Sequence, residues 1–149
     1  ILKETCRKLK ISAENKNIKI KTEIENKLPY ILFDKDGLEQ IILNILSNAI
    51  KYTPKNGQIV IKTYKELNNI VILVKDNGIG IPKEDINRIF ERFYRVDKAR
   101  TRKMGGTGLG LSIAKYIAEA HDASIEVESE VNVGTKVRII IPITLSDTM

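Results

Sequence analysis

Seven apolar residues set the clearest rhythm in the chain. Leu38, Ile41, Ile42, Ile45, Leu46, Ala49 and Ile50 follow one another at spacings of 3, 1, 3, 1, 3 and 1. That spacing brings all seven onto one side of an α-helix. Asp34 stands ahead of it as an N-cap, and Pro54 with Gly57 ends it. Elsewhere the period drops to two. Ile18, Ile20, Thr22 and Ile24 alternate with polar residues, so 17–25 predicts a half-buried strand with these four on its inner face. Two further strands are predicted around Gln58–Glu66 and Ile70–Lys75, with a turn at Asn68-Asn69. A Gly-rich turn then leads into a short helix over about 82–93. A second Gly cluster opens a helix that runs to His121. Strands around Ser124–Glu128 and Thr135–Ile141 close the chain, turned at Gly134, and residues 1–16 are charged and helix-compatible. Hairpins are more evident than βαβ crossovers in this order. The pattern therefore predicts an α+β fold, one mixed sheet covered by helices on one face.

Composition narrows what such a domain does. The 149 residues amount to one domain, long enough to bury a core without covalent staples. No apolar run reaches the ~18 residues of a membrane span. The opening Ile1-Leu2-Lys3-Glu4 has no signal-peptide pattern. Cys6 is the one cysteine and His121 the one histidine. An internal disulfide and a Cys/His zinc site are thereby excluded, a reducing compartment is expected, and little room is left for Ser-His-Asp or Cys-His chemistry. The net charge of +6 favours an anionic partner without choosing among nucleic acid, a membrane surface and nucleotide phosphates.

Four segments carry candidate chemistry. Gln40, Asn44, Asn48 and Lys51 form a polar stripe opposite the buried face of the long helix. Asparagine is a mediocre helix former, and an amide oxygen can ligate Mg²⁺ while a lysine meets phosphate; a plain solvated face fits the stripe equally. Asp76-Asn77-Gly78-Ile79-Gly80-Ile81-Pro82 follows an apolar strand. Its glycines permit close approach of a ligand to the backbone, and Asp76 could accept from an exocyclic amine; an Asx-type turn is the alternative. Gly105 to Gly110 holds four of the nine glycines directly before a helix. Such a loop suits phosphate, or serves as a hinge, and it matches neither a Walker A loop nor a dinucleotide fingerprint. Between the two loops, Arg92, Arg95, Lys98, Arg100, Arg102 and Lys103 face one acid, Asp97, as either a lid over a nucleotide or a solvated charge run.

In this order and spacing the segments resemble the catalytic, ATP-binding domain of bacterial sensor histidine kinases, within the ATPase superfamily shared with gyrase, Hsp90 and MutL. Asn44 to Thr53 resembles the N box, Asp76 to Ile81 the first glycine box, Phe90-Glu91-Arg92-Phe93 the F box, and Gly106 to Leu111 the second glycine box. The resemblance implies a five-stranded mixed sheet with about three helices on one face. It implies that Asp76 binds the adenine amine, with Gly78, Gly80 and Ile81 beside the base. Asn48, with Asn44, would hold Mg²⁺. Lys51 and Tyr52 would reach phosphates and ribose, and Arg95 the terminal phosphates, with Arg100 and Arg102 as further candidates. Gly106, Thr107, Gly108, Leu109 and Gly110 would cap the phosphate tail. Asn44, Lys51 and Arg95 would then carry the transfer, with ATP and Mg²⁺ as cofactors.

Position 44 discriminates within that superfamily. Members that hydrolyse ATP carry a glutamate there as general base, and an amide cannot take a proton from water. The resemblance therefore implies phosphoryl transfer to histidine, with an ATP-hydrolysing switch of the same fold as the alternative. A basic nucleic-acid-binding module has only the charge in its favour. No histidine box is present, and His121 reads as a helix C-terminal residue. Asp122-Ala123 stands where the family usually has glycine. The expected organisation is an exit from upstream dimerisation helices over 1–14, the ATP-binding domain over 15–143 and a tail over 144–149. The expected partners are a separate phosphoacceptor domain, docking through Phe90 and Phe93, and indirectly a response regulator. The isolated domain is expected to be monomeric, and the whole protein a membrane-anchored homodimer with this domain in the cytoplasm.

Overall fold

The computed structural model describes residues 2–29, 31–91 and 110–143. Its elements are α1 (Leu2–Lys8), α2 (Lys10–Asn15), β1 (Lys19–Ile24), α3 (Lys35–Tyr52), β2 (Gln58–Glu66), β3 (Asn69–Asp76), α4 (Lys83–Ile86), α5 (Gly110–Ala120), β4 (Ser124–Glu130) and β5 (Gly134–Pro142). The strands form one five-stranded sheet in the order β1-β2-β3-β5-β4. β1 runs parallel to β2, with α3 as the crossover, and every other pairing is antiparallel. The expected mixed sheet with helices on one face is therefore present.

The apolar stripe of α3 explains why the layers meet. Ile41, Ile42, Ile45 and Leu46 are at most 2% exposed and pack in one core with Ile59, Ile61, Val74, Ile139 and Ile141. Asp34 caps α3 as expected, its carboxylate accepting from Gly37 N–H at 2.9 Å. The other end is held by a residue from outside the helix: Lys16 Nζ donates to the carbonyls of Ile50 and Lys51 at 2.8 and 3.1 Å. An ammonium there satisfies orphan carbonyls and meets the negative end of the helix dipole. Lys16→Met is expected to lower stability by about 1 kcal/mol, measured by urea unfolding, and no change would remove Lys16 from the cap.

α5 lies antiparallel along α3 and is pinned to it at both ends. Asn44 Nδ2 donates to the Gly110 carbonyl at 3.1 Å, and at the far end Asp34 N–H donates to His121 Nε2 at 3.3 Å. His121 Nδ1 donates to the Ile117 carbonyl at 2.9 Å, and the ring stacks on Phe33 with centroids 4.0 Å apart. His121 is thus the helix-end residue the sequence predicts, with a packing role added.

Three elements differ from expectation. The β2–β3 turn falls at Leu67-Asn68, one residue early, because Glu66 pairs with Asn69 and Leu67 takes the left-handed φ of 55°. Of the helix expected over 82–93, the described residues 82–91 are α-helical at Lys83–Ile86. Beyond it the backbone bonds are the tighter three-residue type, Arg88 N–H to Asp85 and Glu91 N–H to Arg88. Ile18, just before β1, is buried, but Thr22 and Ile24 on the strand stay exposed, because β1 is the sheet edge and α1 and α2 cover only its start.

Candidate nucleotide site

The site begins at the C-terminal end of β3, where the sheet meets the end of α3. Asp76 is 8% exposed, on the helix-covered face of the strand. Its Oδ1 accepts from Gly78 N–H at 2.8 Å and from Thr135 N–H on β5 at 3.2 Å. Its Oδ2 has no hydrogen-bond partner among the described residues and is not sealed from solvent. The carboxylate is therefore oriented through one oxygen and offers the other. Burial pushes the Asp76 pKa up from its ordinary 3.8, and the two backbone N–H bonds pull the other way without cancelling it.

The loop after Asp76 is fastened on every side. Asn77 Oδ1 accepts from Gln58 N–H at 2.8 Å, and Ile79 N–H donates to the Tyr52 carbonyl at 3.1 Å. Ile79 O accepts from Asn132 N–H at 2.8 Å, and Ile81 N–H donates to Ser129 Oγ at 2.7 Å. Gly80 has a φ of +76°, and a Cβ there would stand 2.1 Å from the Glu130 carbonyl oxygen. These bonds press the loop against Tyr52, within one turn of Asn48 and Lys51.

Asn44, Asn48 and Lys51 are half-buried on the outward stripe of α3, as the spacing predicts. Asn48 makes no side-chain hydrogen bond among the described residues. Asn44 is engaged twice, donating to Gly110 O and accepting from Gln40 Nε2 at 3.0 Å. Gly110 is the first residue of α5, and a Cβ there would come no closer than 3.9 Å to Asn44. The structure thus brings Tyr52, Asp76, Gly78, Gly80 and Ile81 to the C-terminal end of α3, with Asn48 and Lys51 on its last turns and Asn44 with Gly110 beside its middle. Arg95, Arg100, Arg102, Gly106, Thr107, Gly108, Leu109 and Phe93 lie outside the described residues. Phe90 is half-buried, with Lys115 Nζ 5.4 Å from its ring centroid.

Thr135 and Ser129 belong to the site and escaped the sequence reading. Ser129 Oγ links Ile81 to Gly134 O at 3.0 Å and Thr135 Oγ1 at 2.7 Å. Nothing local marks a serine and a threonine in two closing strands. Only the pairing of Asp76 with Thr135 across β3 and β5 gives them this role.

Residues 33–145 match the family model described as histidine kinase-, DNA gyrase B- and HSP90-like ATPase. The chain belongs to this ATPase family. Among curated relatives, the sensor histidine kinase WalK of Bacillus subtilis (strain 168) is 49% identical over 115 residues, which is 76% of this chain and 19% of the relative. The sensor protein kinase WalK of Staphylococcus aureus is 47% identical over 122 residues, 80% of this chain and 29% of the relative. The chain thus spans about a fifth to under a third of the relatives it matches. Among solved structures, the nucleotide-free catalytic domain of histidine kinase ThkA superposes with a TM-score of 0.81 at 29% identity, covering 95% of this chain and 89% of that one. Full-length ShkA in complex with AMPPNP gives 0.82 at 29% identity, covering 95% of this chain and 29% of that one. The fold shared with these catalytic domains accounts for the sheet order. No described helix is long and apolar enough to cross a membrane.

Proposed function

We propose that this domain binds Mg·ATP and donates the γ-phosphoryl group to a histidine on a separate phosphoacceptor domain of a two-component sensor kinase. The observation that carries this reading is Asp76. It is a buried carboxylate with one oxygen locked by backbone and the other open, held against the end of a helix that carries amides and a lysine. Oδ2 accepts from the adenine amine, and Gly78, Gly80 and Ile81 leave room for the base. Lys51 and Tyr52 face the phosphates and ribose, and Arg95 with Gly106 to Gly110 closes on the phosphate tail. Asn44, Lys51 and Arg95 serve the transfer, Lys51 and Arg95 by holding the triphosphate in line with its acceptor and Asn44 through its bond to the start of α5.

The metal fits this donor set. Among the described residues there is no cluster of three His, Cys, Asp or Glu side chains that could cage an ion. Mg²⁺ is commonly bound through one or two protein ligands plus substrate phosphate oxygens, and the amide of Asn48, without a side-chain hydrogen bond among the described residues, would be such a ligand. Bound there, Mg²⁺ would neutralise phosphate charge. The protein's own contribution is positioning and charge. The acceptor imidazole nitrogen forms the new bond to the γ-phosphorus as the bond to the bridging oxygen breaks, and ADP leaves. No group at position 44 removes a proton from water, since an amide is not a base. The acceptor domain docks by Phe90 and Phe93, a response regulator receives the phosphoryl group next, and the whole protein is a membrane-anchored dimer. The ThkA histidine kinase, at 26% identity and a TM-score of 0.77, is solved in complex with the response regulator TrrA, which supports a response regulator among the partners.

The test is transfer from labelled ATP to a separately supplied histidine-bearing domain. Wild type is expected to label it, and Asn48→Ala to lose on the order of a hundredfold in rate with a matching loss of Mg²⁺-dependent ATP affinity. Steady ATP hydrolysis without an acceptor would instead favour the hydrolysing switch.

A further inference from the structure

Asn44 stands where the resemblance offers a metal ligand, yet its amide is already spoken for at both ends. A carbonyl oxygen only accepts, so Gly110 O at 3.1 Å must face the NH₂ of Asn44. That fixes the flip of the amide and turns Oδ1 away from α5. The atom that meets Oδ1 must be a donor, and Gln40 Nε2 supplies it at 3.0 Å, one turn earlier on the same helix. The chain Gln40 to Asn44 to Gly110 thus has one direction, imposed by its terminal carbonyl.

We infer that Gln40 is a positioning residue: it sets the orientation of Asn44 and through it holds the first residue of α5 over the polar stripe of α3. In this arrangement Asn44 belongs to the positioning chain and Asn48 is left as the metal ligand. It also gives position 44 a reason to be an amide that is independent of hydrolysis. A glutamate there has no hydrogen to give Gly110 O and would set oxygen against oxygen. The pin acts at the start of α5, while the His121–Asp34 bond ties the far ends of the two helices together. The consequence for nucleotide rests on the reading under Proposed function, and the consequence for α5 does not.

Gln40 is exposed, so its replacement does not threaten folding. In Gln40→Glu the new carboxylate draws the Asn44 NH₂ toward itself, turns the amide over and aims Oδ1 at the Gly110 carbonyl. Hydrogen exchange of the nucleotide-free protein is expected to speed up about tenfold at the amides of 111–114, with the middle of α3 and Tm unchanged. Calorimetry with Mg·AMPPNP is expected to show affinity about three- to tenfold weaker, with the Mg²⁺ dependence of wild type. Gln40→Ala, which adds no charge, should move both readouts the same way by less. Unchanged exchange at 111–114 in Gln40→Glu would overturn the inference. So would a Mg²⁺ dependence shifted like that of Asn48→Ala, which would put the pair in the ion's own shell. Should wild type bind no AMPPNP, the nucleotide reading fails while the exchange arm still decides the role of Gln40.

Discussion

Asp76→Asn is expected to remove nucleotide affinity while making the nucleotide-free domain more stable at neutral pH. The two effects come from the two oxygens. Oδ1 accepts from Gly78 and Thr135, and an asparagine Oδ1 accepts from the same pair, so the loop geometry survives. Oδ2 becomes an NH₂, and a donor then faces the adenine amine. The lost bond and the unpaired donors together are expected to weaken Mg·AMPPNP on the order of a hundredfold by calorimetry. Equal affinity in both proteins would sink the adenine assignment. The stability effect follows from burial. The Asp76 pKa is raised in the folded state, so the folded domain binds a proton more tightly than the unfolded chain. The carboxylate therefore costs nothing below its ordinary value of 3.8, costs more as pH rises through the raised value, and then a constant amount. The gain of Asp76→Asn over wild type in urea unfolding should accordingly vanish below about pH 3.8, grow as pH rises and level off above the raised value. A gain that grew as pH fell would contradict the buried-carboxylate account.

Much of this site is written in local chemistry. The stripe of Gln40, Asn44, Asn48 and Lys51 is visible because helical spacing is rigid, and Asp76 because an acid ends an apolar strand before Gly78 and Gly80. The fold class follows from the same periodicities. What the sequence does not show is contact at long range. Thr135 reaches Asp76 only because β5 pairs with β3, and Lys16 reaches the end of α3 from more than thirty positions away. The inner face of β1 reads as half-buried because alternation reports which residues could be covered, not how far α1 and α2 extend over the edge. The polarity of Asn44 is likewise invisible until Gly110 stands opposite it.

The second large effect belongs to Gly78, and it separates steric need from glycine content. A Cβ at Gly78 would stand 2.4 Å from the Tyr52 carbonyl oxygen and 2.9 Å from Asp76 Oδ1. The first neighbour is backbone at the end of α3, so no rotamer change relieves the clash. The loop must lift away from Tyr52, stretching the Ile79 N–H bond to that carbonyl and moving the N–H that orients Asp76. Gly78→Ala is therefore expected to cost about 1–3 kcal/mol. That corresponds to a fall of roughly 3–10 °C in Tm. Nucleotide affinity should fall with it, because Asp76 loses one of its two orienting donors. Gly110→Ala is the control from the other glycine cluster. A Cβ there would meet Asn44 only at ordinary contact distance, 3.9 Å, and the residue opens a helix, where alanine is tolerated at least as well as glycine, so stability should hold or rise slightly. Thermal unfolding of the two variants side by side decides the matter. If Gly78→Ala melts with wild type, the loop does not press on α3, and the coupling of Asp76 to the end of that helix is lost as an explanation of the site.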